Sequence, residues 1–229
     1  MGQSDRDTVR ALPLFCSMSR NNFDQLMAAA ETRQFSQHAT VLAEGNFPEF
    51  LYIVMDGAVE LSCTHDAHKT TIDIVRPVTP LILGAVIRND VYLSSVRTLT
   101  PAQLLLIPAQ SVRDAFNCDS SFARAVAYQL TEQYGSLVRS LKNEKLRTGM
   151  KRLANWILRT DAMQGNQRII ELTVEKRTLA SSLGMTPENL SRNLARLTRY
   201  GVRTSGRDIV IEDSFALERF AKPNALIDG

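Results

Sequence analysis

Glu188, Ser191 and Arg192 stand at i, i+3 and i+4, a spacing that sets all three on one face of a helix. These residue types suit hydrogen-bonded reading of base edges in a DNA major groove. Arginine donates two bonds to guanine O6 and N7, glutamate accepts from cytosine N4, and serine reaches either kind of edge. A Glu–Arg pair can also close on itself as an i, i+4 salt bridge, so the spacing alone leaves both uses open. Other chemistry is sparse. His65-x-x-His68 has no later histidine to complete a cupin-like metal set, and His38 lies far upstream. No Gly-rich phosphate loop, Gly-x-Ser-x-Gly elbow or zinc spacing occurs, so no residue is assigned a catalytic role. An enzyme built on a β-roll is the alternative of a different class. Cys16, Cys63 and Cys118 are odd in number and scattered, which fits a reducing cytoplasm, and each reads as a small buried apolar residue.

The face carrying Glu188 needs elements to position it, and its surroundings supply them. A short helix with Leu179, Ala180 and Leu183 ends at Gly184. Thr186 can then cap a second helix, with Pro187 at its first position and Leu190, Leu194 and Leu197 as its apolar side. Two helices around a glycine turn form a helix-turn-helix. The runs Val202–Thr204 and Ile209–Glu212, around Ser205-Gly206-Arg207, form a wing. Charge supports the same reading. Residues 1–148 hold 14 Lys+Arg against 15 Asp+Glu, whereas residues 149–229 hold 13 against 9. A basic C-terminal part is what a polyanion partner requires. Thr186, Lys151, Arg152, Arg177, Arg199 and Arg207 are the expected DNA-backbone contacts.

Upstream the texture differs. Residues 19–31 read as a short helix capped by Ser19. Short apolar or alternating runs then follow to Pro108, with Asp56-Gly57 as a hairpin turn and Pro77, Pro80 and Pro101 between runs. They predict an all-β barrel, sandwich or roll. From Ser111 to Arg147 the period is helical. Val126, Leu130, Gln133, Leu137 and Leu141 form a thin seam that predicts a subunit-pairing helix, with a hinge at residues 147–151. The fold class is therefore α+β: a β-roll sensor domain over 1–110, a dimerisation helix over 111–147 and a winged helix-turn-helix over 148–229. The 229 residues, 44% hydrophobic and 22% charged, exclude a disordered or low-complexity chain. No run of about 18 apolar residues occurs, which predicts no membrane span. The N-terminus lacks the apolar run of a signal peptide, so a cytoplasmic location is expected.

In this order the parts resemble the CRP/FNR superfamily of bacterial transcription regulators, from about Leu12 to Ala221. The resemblance rests on Leu14-Phe15, Met18-Ser19 and Phe23-x-x-Leu26, on the hairpin Leu51-Tyr52-Ile53-Val54-x-Asp56-Gly57-x-Val59, and on Gly184-x-Thr186-x-Glu188-x-x-Ser191-Arg192 with the wing Gly206-Arg207-x-Ile209-x-Ile211-Glu212. The Glu-x-x-Ser-Arg pattern is similar to the FNR/FixK type. It implies a homodimer on double-stranded DNA, TTG and CAA arms around eight base pairs, and RNA polymerase as partner if the protein activates. In cyclic-nucleotide binders the pocket carries Gly-Glu and then Arg-Ser or Arg-Thr. Here Gly84-Ala85 and Tyr92-Leu93 stand instead, Arg88 is out of register, and Arg97 matches a structural position. The effector pocket thus reads as degenerate, cyclic AMP is not expected, and a cyclic-nucleotide-responsive regulator is the alternative. Iron–sulfur members need four cysteines, three clustered near the N-terminus, so no cluster is expected either. What remains is no ligand, a small gas or an unfamiliar effector. The chain resembles both the FixK-type proteins controlled by expression and the nitrogen-oxide-responsive (NnrR/DNR-like) branch, which implies control of anaerobic or denitrification genes. A haem is conceivable there, with His38, His65 or His68 as ligand.

Overall fold

The computed structural model describes residues 3–66 and 68–228, and its compact units divide between Tyr134 and Gly135. The first unit opens with α1 (Gln3–Arg10) and α2 (Arg20–Ala28). Ser19 caps α2 by accepting from the Asn22 N–H at 3.2 Å. Then come β1 (Glu31–Phe35), β2 (Thr40–Leu42), β3 (Phe50–Asp56), β4 (Val59–His65), β5 (His68–Val75), β6 (Thr79–Leu81), α3 (Leu83–Arg88), β7 (Ser95–Thr98) and β8 (Ala102–Pro108). They make two antiparallel four-stranded sheets, ordered β1-β8-β3-β6 and β2-β7-β4-β5.

The apolar runs of β3 and β8 follow from burial on both faces. Tyr52, Val54, Leu104 and Leu106 turn toward the second sheet, where they meet Val59, Val96 and Leu42. Leu51, Ile53, Leu105 and Ile107 turn the other way, into a core closed by Phe23, Val112 and Phe122 from helices and by Phe15 from the turn before α2. Phe15 and Phe122 stack with ring centroids 5.7 Å apart. A period of two along each strand thus serves two cores, and the expected β-roll is present.

Three details depart from expectation. The first strand begins at Glu31, inside the stretch read as helix, because α2 stops at Ala28. Pro80 lies within β6, which pairs only with β3 and is an edge strand that tolerates a missing N–H. The helical stretch from Ser111 is two helices, α4 (Ala109–Cys118) and α5 (Ser120–Leu146). Asp119 separates them. Its carboxylate caps α5 by accepting from the Ser121 and Phe122 N–H groups, each at 2.9 Å, and ties in α2 through Asn22 Nδ2 at 2.8 Å.

In the second unit, α6 (Gly149–Met163), α7 (Lys176–Ser182), α8 (Pro187–Leu197) and α9 (Ser214–Ala221) pack with a sheet ordered β10-β11-β9. The strands are β9 (Ile169–Glu171), β10 (Val202–Ser205) and β11 (Asp208–Ile211), and α10 (Ala225–Asp228) closes the chain. The two wing strands match the expected runs; β9 adds a third that three residues alone did not betray. The compact division falls inside α5, whereas the expected boundary at 110/111 cuts the first turn of α4 and the one at 147/148 lies between α5 and α6. Among the described residues no helix is long and apolar enough to cross a membrane.

Candidate nucleic-acid interface

The turn between α7 and α8 is fixed by Gly184. Its φ is +60°, a left-handed conformation that side-chain-bearing residues adopt only with strain, and a Cβ there would also push aside the Glu144 carboxylate near the end of α5. Thr186 then caps α8, accepting from the Asn189 N–H at 3.3 Å, with Pro187 in the first turn. Leu190, Leu194 and Leu197 are buried beneath the helix. Glu188, Ser191 and Arg192 are exposed along its opposite side, and Arg199 is exposed in the 3-10 turn that follows it. The structure therefore brings the three expected base readers together on one open face.

Glu188 and Arg192 form no ion pair within 4.0 Å among the described residues, so the closed salt bridge is not the arrangement adopted. The Glu188 carboxyl is held below its usual range by its own backbone N–H, by the Thr186 hydroxyl and by the nearby Arg192 charge. It is thus an anionic acceptor at neutral pH, as cytosine N4 requires. Arg192 makes no hydrogen bond among the described residues, which leaves its fork of donors free.

The expected backbone contacts divide into two kinds. Arg177, Arg199 and Arg207 are exposed, Lys151 is half-buried, and the Thr186 hydroxyl is engaged at the helix cap. Arg152 is a correction. Its side chain is 12% exposed and pairs with Glu144 at 2.9 Å. It also donates to the carbonyls of Leu183 at 2.9 Å, Gly184 at 3.0 Å and Arg147 at 3.0 Å. It locks the turn in place, with most of its fork already engaged inside the protein. A second lock escaped the sequence reading. Arg147, 6% exposed, grips Asp228 through two bonds of 2.6 Å, and Lys142 Nζ donates to the Leu226 carbonyl at 2.9 Å. Spacing cannot reveal a pair 81 residues apart.

The expected seam on α5 is only partly open. Val126 is buried in the first unit's own core and Leu130 packs against it, so these two are not a free subunit surface. Gln133 is half-buried. Leu137 and Leu141 stand 60% and 57% exposed, flanked by Tyr134 at 70% and Val138 at 38%. The same stripe runs the length of the helix; its first half lies on the β-roll core and its second half is bare.

Gly84, Ala85, Tyr92 and Leu93 do not line one pocket. Gly84 lies nearest to Leu130, Ala85 and Tyr92 pack into the core between the sheets, and Leu93 is exposed. The Tyr92 hydroxyl donates to the Phe50 carbonyl at 3.2 Å, and burial pushes its pKa up. His38, His65 and His68 are all exposed, an environment unlike an enclosed haem site. No group of three His, Cys, Asp or Glu that could hold a metal occurs among the described residues. Cys16 and Cys118 are exposed, not buried as expected. Cys63 donates to the Leu93 carbonyl at 3.1 Å, and burial raises its thiol pKa, which opposes a reactive thiolate.

Residues 32–119 match the cyclic nucleotide-binding domain, and residues 151–220 match the Crp-like helix-turn-helix domain. The solved structures that resemble the chain include FixK2 from Bradyrhizobium japonicum, at 20% identity and TM-score 0.74, covering 86% of this chain and 99% of that one. TTHB099, a CRP-family transcriptional regulator from Thermus thermophilus, matches at 21% identity and TM-score 0.67 over 86% and 100%. DNR from Pseudomonas aeruginosa matches at 20% identity and TM-score 0.53 over 96% and 99%. At these identities the likeness is one of fold. None of the curated proteins matches the chain.

Proposed function

We propose that the chain, which joins a cyclic-nucleotide-binding-type domain to a Crp-like helix-turn-helix domain, is a DNA-binding transcription regulator of the CRP/FNR type rather than an enzyme, and that it works as a homodimer on a TTG-N8-CAA-like palindrome without cyclic AMP. The observation that carries this reading is the open face of α8, where a charged Glu188 and an unpaired Arg192 stand one helical turn apart. Arg192 reads guanine, Glu188 reads the cytosine paired with it, and Ser191 reaches a neighbouring edge. The bare second half of the α5 stripe pairs with its copy and sets two α8 helices in successive major grooves.

The role in anaerobic or nitrogen-oxide gene control rests on the FNR/FixK-like reader. Cyclic-AMP independence rests on Tyr92, whose ring fills space between the sheets. A ligand that binds only the folded state raises its stability, so millimolar cyclic AMP is expected to leave the thermal midpoint unchanged. A saturable rise would show that the β-roll interior opens.

Arg192→Ala tests the reader. At one fixed salt concentration it should cost about 1–3 kcal/mol per half-site on the operator and much less on a scrambled duplex. Equal losses on both duplexes would reduce Arg192 to a backbone contact.

A further inference from the structure

Beside the C-terminal end of α8 lies a concavity of about 540 Å³ that the base-reading face does not include. Four cations line it: Lys151 from α6, Arg199 just past α8, Arg219 from α9, and Lys222 just past α9. None has an acidic partner within 4.0 Å among the described residues. The one carboxylate in the wall, Asp213, caps α9 by accepting from the Ala216 N–H at 2.9 Å. Four like charges around one hollow repel each other, and among its lining residues only the Asp213 carboxylate stands against them.

The hollow is also built. Tyr200 and Phe220 stack with ring centroids 4.2 Å apart. Each is the immediate chain neighbour of a cation, Arg199 or Arg219, so the stack holds the ends of α8 and α9 together and sets both guanidiniums at the same rim. The Arg219 guanidinium lies 5.8 Å from the Phe215 ring centroid, a cation–π placement that orients its planar fork, while Phe215 itself stays 68% exposed. Arginine forks beside an exposed aromatic face suit a phosphodiester, whose oxygens accept paired donors and whose sugar offers an apolar side.

We propose that Arg219 and Lys222, with Phe215, form a second contact with the DNA sugar–phosphate backbone, extending the α8 footprint through Arg199 onto α9. Arg199 provides the continuity, since it is exposed in the turn that directly follows α8 and also lines this hollow. The proposal rests on the reading of the chain as a duplex binder. It adds α9, which no sequence motif pointed to, as a backbone-gripping element.

The test is a salt titration of duplex binding by the full chain and by Arg219→Ala/Lys222→Ala, on operator and scrambled duplexes. Both side chains are exposed, and an unchanged thermal midpoint and far-ultraviolet spectrum would verify the variant's fold. Each lost phosphate contact should flatten the slope of log K against log salt by about 0.9, so two per subunit flatten it by about 3–4 in a dimer. Affinity should fall by the same factor on both duplexes, and Phe215→Ala should give a smaller loss of the same kind. Coincident slopes for wild type and the double variant overturn the proposal while leaving the reading of α8 intact. So does a thermal rise with adenosine 5′-monophosphate that the double variant loses, if the DNA slopes coincide; the hollow would then hold a free nucleotide. If the wild-type chain shows no salt-dependent duplex binding, the regulator reading itself fails, and this contact with it.

Discussion

Glu60 shows what a single side chain contributes to the β-roll beyond the reach of sequence. It is 3% exposed on β4 and accepts from Lys69 Nζ at 2.8 Å, the Thr71 hydroxyl at 2.6 Å and Arg97 Nη2 at 3.1 Å. Burial pulls its pKa upward, but the bonds from Lys69 and Thr71 and the charges of Lys69 and Arg97 together hold it below the usual carboxylate value. The sign follows from linkage. A depressed folded pKa gives stability that is present above the unfolded pKa and is lost as pH falls through the folded one. Glu60→Gln should therefore flatten the acid limb of a stability–pH profile below about pH 5, and Glu60→Leu should cost about 1–3 kcal/mol near neutrality. The discount reflects Lys69 and Arg97, which keep solvent contact at 43% and 36%. Denaturant unfolding between about pH 3 and 7 checks both, and an unaltered acid limb would show that the pair network is inert. Arg97 was legible as a structural position, but Glu60 was not. A carboxylate at an alternating strand position looks like a solvated face until neighbouring strands lay their cations across it. Glu188, Ser191 and Arg192 were legible because one helix places all three, whereas the role of Arg152 depends on carbonyls brought from α5 and α7.

At the scale of elements, α5 carries two environments along one stripe. Phe122 and Val126 are buried against the first unit, while Tyr134, Leu137 and Leu141 are open. Periodicity reports that a stripe exists and cannot report where the β-roll stops covering it, which is why Val126 and Leu130 entered the predicted seam. An apolar run of this kind on a solvent-facing helix calls for a cover. Leu137→Glu should therefore turn a particle of twice 25.6 kDa into a monomer, with the thermal unfolding of each unit little changed because the side chain is exposed. The matching change at Val126 should instead destabilise the β-roll, because a charge there enters its core. Light scattering with calorimetry separates the two, and a wild-type monomer that grips operator would sink the pairing role. The same limit explains the break at Asp119. A helical period continues across it, but its carboxylate serves as a cap, and only the fold shows the N–H groups it accepts from.

In the whole molecule, the β-roll unit and the helix-turn-helix unit are joined through α5, so the proposed pairing along that helix would set where two α8 helices fall on DNA. The order of parts was legible end to end, since each has its own period: two in the strands, seven in the seam and a glycine turn in the reader. The expected particle has one reader per half-site and centres about 34 Å apart, one turn of the duplex. Spacer length is then a direct gauge of the assembly. Five base pairs added to the eight-base-pair spacer shift one arm by about 17 Å and rotate it half a turn, to the far side of the duplex. Only one α8 helix can then reach its bases, and affinity should fall by about two to three orders of magnitude, toward that of scrambled DNA. Ten added base pairs restore the rotation but double the separation, so affinity should stay low if α5 pairing holds the readers at fixed distance. Recovery at ten would show that the chain between the seam and α6 yields. Equal affinity at eight, thirteen and eighteen base pairs would mean that each reader binds alone, and the dimeric architecture inferred from Leu137 and Leu141 would have to be abandoned.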